Sequence, residues 1–252
     1  MPKLILITGA TSGFGEATAR AFAAEGWRVI IAGRRRDRLD ALQRELQGLH
    51  GPVVHAIRMD VQDRASVEKA IAGLSSEWSS VDVLVNNAGL ASGLDPIQDG
   101  DIADWERMID TNVKGLLYVT RAIVPGMVAR GRGHIINIGS TAGKEVYPKG
   151  NVYCATKHAV DALTKGMRID LVAQGIKVTQ IAPGAADTEF STVRFAGDET
   201  RAKQVYQGFQ PLKAEDVANI VLYAASLPAH VCINDLVVTS TAQANSTTIH
   251  RG

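Results

Sequence analysis

The sequence predicts a doubly wound α/β domain: a mostly parallel sheet of about seven strands with helices on both faces. Three observations predict it. Short apolar, β-branched runs alternate with stretches of 3.6-residue periodicity along the chain. The runs are apolar on successive residues, as strands covered on both faces must be. A glycine-rich turn joins the first run directly to the first periodic stretch.

The elements follow in order. Residues 4–7 form the first strand and 16–24 the first helix; 29–31 and 39–46 repeat the pattern, as do 53–57 and 67–74. A fourth strand at 81–85 precedes a long helix at 105–124, a fifth at 135–138 precedes a helix at 152–171, and a sixth at 176–181 is separated from the helix at 216–225 and the last strand at 236–238. Strand, crossover and parallel strand imply right-handed connections. The alternation pauses at 182–212, where periodicity is weak and a compact domain would use a connection of about 4 to 6 residues; this segment is expected to be a lid. No repeat or long linker divides the chain, so residues 1–252 are read as one domain ending in a tail at 239–252.

Composition removes several functions. Twenty-seven basic against 26 acidic side chains leave a net charge of +1, which gives no global attraction for nucleic acid or an anionic membrane. No apolar run approaches the roughly 18 residues of a membrane span. Met1, Pro2 and Lys3 lead straight into the first strand without a secretory signal, and two cysteines cannot form a disulfide framework. A reduced cytoplasm is the expected compartment. The histidines are scattered and no metal site is expected.

The turn after the first strand reads Thr8-Gly9-Ala10-Thr11-Ser12-Gly13-Phe14-Gly15. Glycines here permit a tight turn, let the backbone approach a pyrophosphate and present free N–H groups of the helix N-terminus to it. Gly9, Thr11, Ser12, Gly13, Phe14 and Gly15 are therefore expected to bind a dinucleotide. An NAD site would place an acid at the end of the second strand; this chain has Gly33 followed by Arg34, Arg35 and Arg36. Positive charge at a helix N-terminus opposes the macrodipole, and a 2′-phosphate on Arg34 and Arg35 would remove the conflict, so NADP is expected. Arg36 is assigned with Arg38 and Arg44 to a solvated face. Asp60 either accepts from an adenine amino group or shapes a turn or helix cap.

Asn86-Asn87-Ala88-Gly89 follows the fourth strand, Ser140 the fifth, and Tyr153 and Lys157 share a face of the next helix at i, i+4. Together with the glycine turn, these residues resemble the classical short-chain dehydrogenase/reductase family over nearly the whole chain, with Ser140 followed 13 residues later by Tyr-x-x-x-Lys. The resemblance implies a Rossmann-type fold and an enzyme. It implies Ser140, Tyr153, Lys157 and Asn112 as the catalytic set and Val61, Asn87, Ala88, Gly89, Pro183, Gly184 and Thr188 as further cofactor contacts, with Tyr153 and Lys157. It also implies a homotetramer built through the helices at 105–124 and 152–171. An ammonium at Lys157 favours the Tyr153 phenolate and lowers its pKa toward the operating range. Ser140 would hold the substrate oxygen, and Asn112 would join a proton relay or serve as a plain helix-interior polar residue. Cys154 is read as a small apolar side chain.

Stretches at 150–153, 188–195, 227–230 and 249–251 look like the NADP-dependent 3-hydroxy acid dehydrogenases, which oxidise serine and related acids. A small anionic substrate needs a cation, and Arg194 in the expected lid is assigned to it, with Ser140 and Tyr153 completing the substrate site. Lys144, Lys149 and Arg251 are the competing cations. A sulfonate such as sulfoacetaldehyde would satisfy the same arginine. A reductase of larger neutral carbonyls and a non-catalytic NADP sensor are the rival classes, the second disfavoured by the intact Ser140, Tyr153 and Lys157.

Overall fold

The computed structural model describes residues 3–51 and 53–252; Met1 and Pro2 of the expected leaderless start lie outside the described residues. Its strands are β1 (Leu4–Thr8), β2 (Arg28–Gly33), β3 (Val54–Arg58), β4 (Val83–Asn86), β5 (Gly133–Ile138), β6 (Ile176–Pro183) and β7 (Asp235–Val238). They form one sheet in the order β3-β2-β1-β4-β5-β6-β7, and every neighbouring pair is parallel. The sequence-predicted fold class stands.

Side-chain alternation explains why the strands are apolar throughout. In β1, Ile5 and Ile7 enter one core layer, against Phe22, Leu39 and Val221, while Leu4 and Leu6 enter the other, against Val119, Ile123 and Met127. The first layer is supplied by α1 (Gly13–Ala24), α2 (Arg36–His50) and α9 (Ala214–Ser226), the second by α3 (Arg64–Ala72), α5 (Leu116–Arg130) and α6 (Asn151–Leu171). Each wholly buried Leu or Ile contributes about 1.5–3 kcal/mol of transfer free energy.

Two departures from the predicted elements bear on function. The helix expected at 105–124 extends as α4 (Ile102–Ile109), a π-helical turn at Asp110–Gly115, and α5. A Cβ on Gly115 would lie 2.9 Å from Val61 Cγ2, so this turn lies close against the β3 loop. The segment expected to have weak periodicity contains two short helices, α7 (Glu189–Arg194) and α8 (Glu199–Gln204), and is pinned at its base by a bridge between Ala186 and Leu212. Six residues each are too few to show a helical period. No helix among the described residues is long and apolar enough to cross a membrane.

His134, in the middle of the sheet, is 4% exposed, and its Nε2 pairs with Thr179 Oγ1 at 2.7 Å. Burial first, then the nearby Lys177 and Lys3, push its pKa down to about 3. Between that value and the ordinary imidazole range near 6.5, the unfolded chain binds a proton that the folded one refuses. Stability is therefore fully present above pH 6.5 and falls as the pH drops below it, by about 2 kcal/mol at pH 5. Urea unfolding at pH 7 and pH 5 should show this slope in the wild type and lose it in His134→Gln; an unchanged slope would remove His134 as its source.

Candidate active site

The chain leaves β1 and β4 on opposite sides of the sheet, and the crevice between their carboxyl ends is where such folds bind ligands. A cleft of ≈ 550 Å³ opens there. Of the site residues named from sequence, all but Gly15 and Asn112 line it. Gly15 acts from beneath: a Cβ at this position would lie 2.4 Å from Gly9 O, and Gly9 itself takes φ +65°. Only glycine lets the turn close this tightly.

Thr8 and Asn87 join the two strand ends. Thr8 Oγ1 accepts from the backbone N–H groups of Asn87 (3.0 Å) and Ala88 (2.9 Å), while Asn87 Nδ2 donates to Thr8 O at 2.8 Å. Behind them, Asn86 Nδ2 donates to Asn137 Oδ1 and Thr120 Oγ1, and Asn137 donates on to Thr164 Oγ1, each at 2.9 Å. This buried polar ladder holds the cleft floor to α5 and α6. The sequence motifs include Thr8 and Asn86 without giving either a role, and Asn137 was missed; polar residues at the ends of otherwise apolar strands were the available signal.

The α1 N-terminus faces the cleft with Ser12 as an extended N-cap whose side chain caps nothing. Its hydroxyl instead accepts from Arg35 Nη2 at 2.9 Å. The uncapped first-turn amides retain their partial positive charge, and the residues present fit an anionic pyrophosphate. Arg35 also donates through Nε and Nη2 to Thr11 Oγ1 and through Nη1 to Glu189 Oε2 at 3.0 Å. Arg34 remains exposed, with Nη1 4.0 Å from Asp60 Oδ2. Arg36 pairs with Asp40 on the surface, and Arg38, exposed as expected, is paired there with Glu189 Oε1. Asp60 caps no helix, because Asp63 is the N-cap of α3; its Oδ1 accepts from Gln62 N at 3.1 Å in a turn.

On the other side of the cleft, Ser140 follows β5, and Tyr153 and Lys157 lie one turn apart on α6, each 7% exposed. Lys157 Nζ donates to Ile138 O at 3.0 Å and stands 5.9 Å from the Tyr153 ring centroid. The expected lowering of the tyrosine pKa does not arise from this chain's own groups. Burial raises it, Tyr147 adds to the rise, and Ser140 and Arg194 only partly oppose it. Burial likewise lowers Lys157 to about 8. Burial thus favours the neutral phenol, whereas Lys157, near 8, keeps most of its charge at neutral pH.

Asn112 lies in the π-helical turn, 2% exposed. Its amide accepts from Leu90 N (2.9 Å) and donates to Leu90 O (2.8 Å) and Thr156 Oγ1 (3.0 Å). These bonds tie the loop after β4 to α6; the side chain reaches Lys157 only across Gly89, whose Cβ position lies 3.3 Å from Asn112 Oδ1 and 3.5 Å from Lys157 Nζ. Pro183 ends β6, and Thr188 caps α7 through Phe190 N. Gly184 admits no side chain, because Gln243 from the tail sits 2.2 Å from its Cβ position and accepts from Ala185 N.

The competing cations separate cleanly. Lys144 is paired with both Asp161 and Asp235, and Arg251 donates to Val205 O and Gln207 O of its own chain. Lys149 stands at the rim with φ +65°. Arg194 enters the cleft: Nε donates to Gly93 O at 3.1 Å, and the guanidinium lies 5.4 Å from the Tyr147 ring and 5.7 Å from the Tyr153 ring. Tyr147, missed from sequence, is brought here by packing on Gly150. Cys154 is buried with Leu90, Met108 and Tyr153, and burial raises its pKa, as suits an apolar role. Among the described residues no group of three metal-ligating side chains comes together.

Residues 3–199 match the family model described as short chain dehydrogenase. The chain is 50% identical over 234 residues to the NADP-dependent 3-hydroxy acid dehydrogenase YdfG of Escherichia coli strain K12, covering 92% of this chain and 93% of that one. It is 48% identical over 245 residues to sulfoacetaldehyde reductase 2 of Chromohalobacter salexigens, covering 97% and 96%. Among solved structures, the closed form of serine dehydrogenase complexed with NADP+ superposes with a TM-score of 0.93 at 47% identity, covering 99% and 100%.

Proposed function

The chain belongs to the short-chain dehydrogenase family, and from that membership we propose that it is an NADP-dependent oxidoreductase interconverting a small anionic 3-hydroxy acid, of the serine or 3-hydroxypropionate type, and its carbonyl form. The observation that carries the reading is one cleft that holds the glycine turn and Arg34 and Arg35 at one end and Ser140, Tyr153, Lys157 and Arg194 at the other. When bound, NADP would supply the hydride donor or acceptor, and the α1 N-terminus together with Arg34 and Arg35 would hold its phosphates. Arg194 binds the substrate carboxylate. Ser140 orients the substrate oxygen, and Tyr153 gives it a proton in the reducing direction and takes one in the oxidising direction. Lys157, held by Ile138 O, steadies the charge on the tyrosine oxygen, and Asn112 is a positioning residue for the wall behind it.

A sulfonate analogue is the second reading, favoured by the 48% identity to a sulfoacetaldehyde reductase, since a guanidinium accepts either anion. Exposed Ile102 and Ile109 on α4, Leu117 on α5, Ile169 on α6 and Val172 just after it support assembly of subunits through these helices, and the family resemblance implies a tetramer.

Absorbance at 340 nm tests the function. NADP should turn over with L-serine, 3-hydroxypropionate, 3-hydroxyisobutyrate or isethionate and NAD far less well, and Arg34→Ala should narrow that preference about tenfold, the worth of one charge-assisted phosphate contact. Equal rates with NAD, or turnover of a neutral alcohol alone, would count against the reading.

A further inference from the structure

We propose that Glu189 is a clasp that closes the 184–212 segment over the cofactor cleft and so sets the substrate arginine in place, an assignment that rests on the dinucleotide reading of that cleft. Both carboxylate oxygens are engaged by the opposite wall, Oε2 by Arg35 and Oε1 by Arg38, from positions 154 and 151 residues away in the chain. Burial alone would raise the Glu189 pKa, but the hydrogen bonds from Arg38 and Arg35 outweigh it and keep the carboxylate charged. Arg35 cannot follow a retreating partner, because its Nε and Nη2 are committed to Thr11 and Ser12 in the glycine turn. The neighbouring Thr188 lies against that turn too, 3.4 Å from the Cβ position of Gly13. Arg35 and Glu189 both line the cleft that runs from Asp60 to Tyr153, so their contact joins its two walls and would hold a dinucleotide between them until it breaks.

The same helix explains what closure accomplishes. α7 begins at Glu189 and ends at Arg194, and in a six-residue helix the two ends move as one body. Phe190 meets the Tyr153 ring edge-on at 5.6 Å. Closing the clasp at the cofactor end therefore seats Arg194 over Tyr153 at the substrate end, which makes Glu189 a positioning residue that couples the two sites.

Glu189→Gln keeps the shape and removes the charge. Chasing bound NADPH with excess NADP+ and following its fluorescence should show release about fivefold faster than in the wild type, the effect of losing a half-exposed pair of ion contacts. Trypsin should also cut faster after Arg201 and Lys203 in the cofactor-free protein. Arg38→Gln should accelerate both in the wild-type background and add nothing in Glu189→Gln, because the two residues act through one contact. Release or cleavage at the wild-type rate in Glu189→Gln, or a full Arg38→Gln effect in its presence, would overturn the clasp. Failure of the wild type to bind NADPH would overturn the dinucleotide reading and the clasp with it, whereas normal binding with unchanged release and cleavage rates would overturn the clasp alone.

Discussion

Replacing Tyr153 by phenylalanine is expected to lower kcat by about 10²–10⁴-fold, the range over which a positioned proton donor contributes, while NADPH binding and the melting temperature hold. The ring is packed with Leu90, Met108 and Phe190, and phenylalanine preserves all of that contact. Only the hydroxyl is lost. Because burial disfavours the phenolate, removing the oxygen strands no charge, and the lost hydrogen bond with Ser140, worth about 0.5–1.5 kcal/mol, should not obscure the kinetic loss. Steady-state rates at saturating cofactor, with thermal unfolding measured on the same samples, decide the matter. A kcat within tenfold of wild type would assign the proton to another group.

Arg194→Ala is expected to lower kcat/KM for anionic 3-hydroxy acids by about 10- to 100-fold, the worth of a charge-assisted hydrogen bond of roughly 1.5–3 kcal/mol, with the loss mostly in KM. For a neutral alcohol of the same length the change should be small. The guanidinium is held by Gly93 O and two tyrosine rings, and it meets the anion in a partly enclosed site where a charge interaction is stronger than in water. Arg194→Lys should recover only part of the loss, since an ammonium lacks the planar fork. Equal losses on charged and neutral substrates would show that Arg194 supports the fold of the segment and does not read the anion.

Much of the site was legible because short-range chemistry writes itself into adjacent residues. A tight turn demands Gly9 and Gly15 at those positions, and a helix places Tyr153 and Lys157 on one face whatever else the chain does. Strand alternation likewise marked the sheet and both of its core layers. The long helix was misread in one respect, because nothing local in Asp110–Gly115 announces a π-helical turn, which folding sets against Val61. The hold on Asn112 by Leu90 and Thr156 was invisible for the same reason.

By itself the sequence determined the fold class, the glycine turn, the order of the candidate catalytic residues along the chain and the presence of cations suited to phosphate and carboxylate. Tertiary structure decided which of those cations line the cleft and which are paired elsewhere. Lys144 was removed from contention by Asp161 and Asp235, and Arg251 by the carbonyls of Val205 and Gln207, and neither set of partners is a neighbour in sequence. Arg38, still exposed on the surface, is paired with a carboxylate 151 positions away in the chain. Charge acts through space and is screened by whatever packs beside it, so the role of a charged side chain depends on contacts that only folding creates.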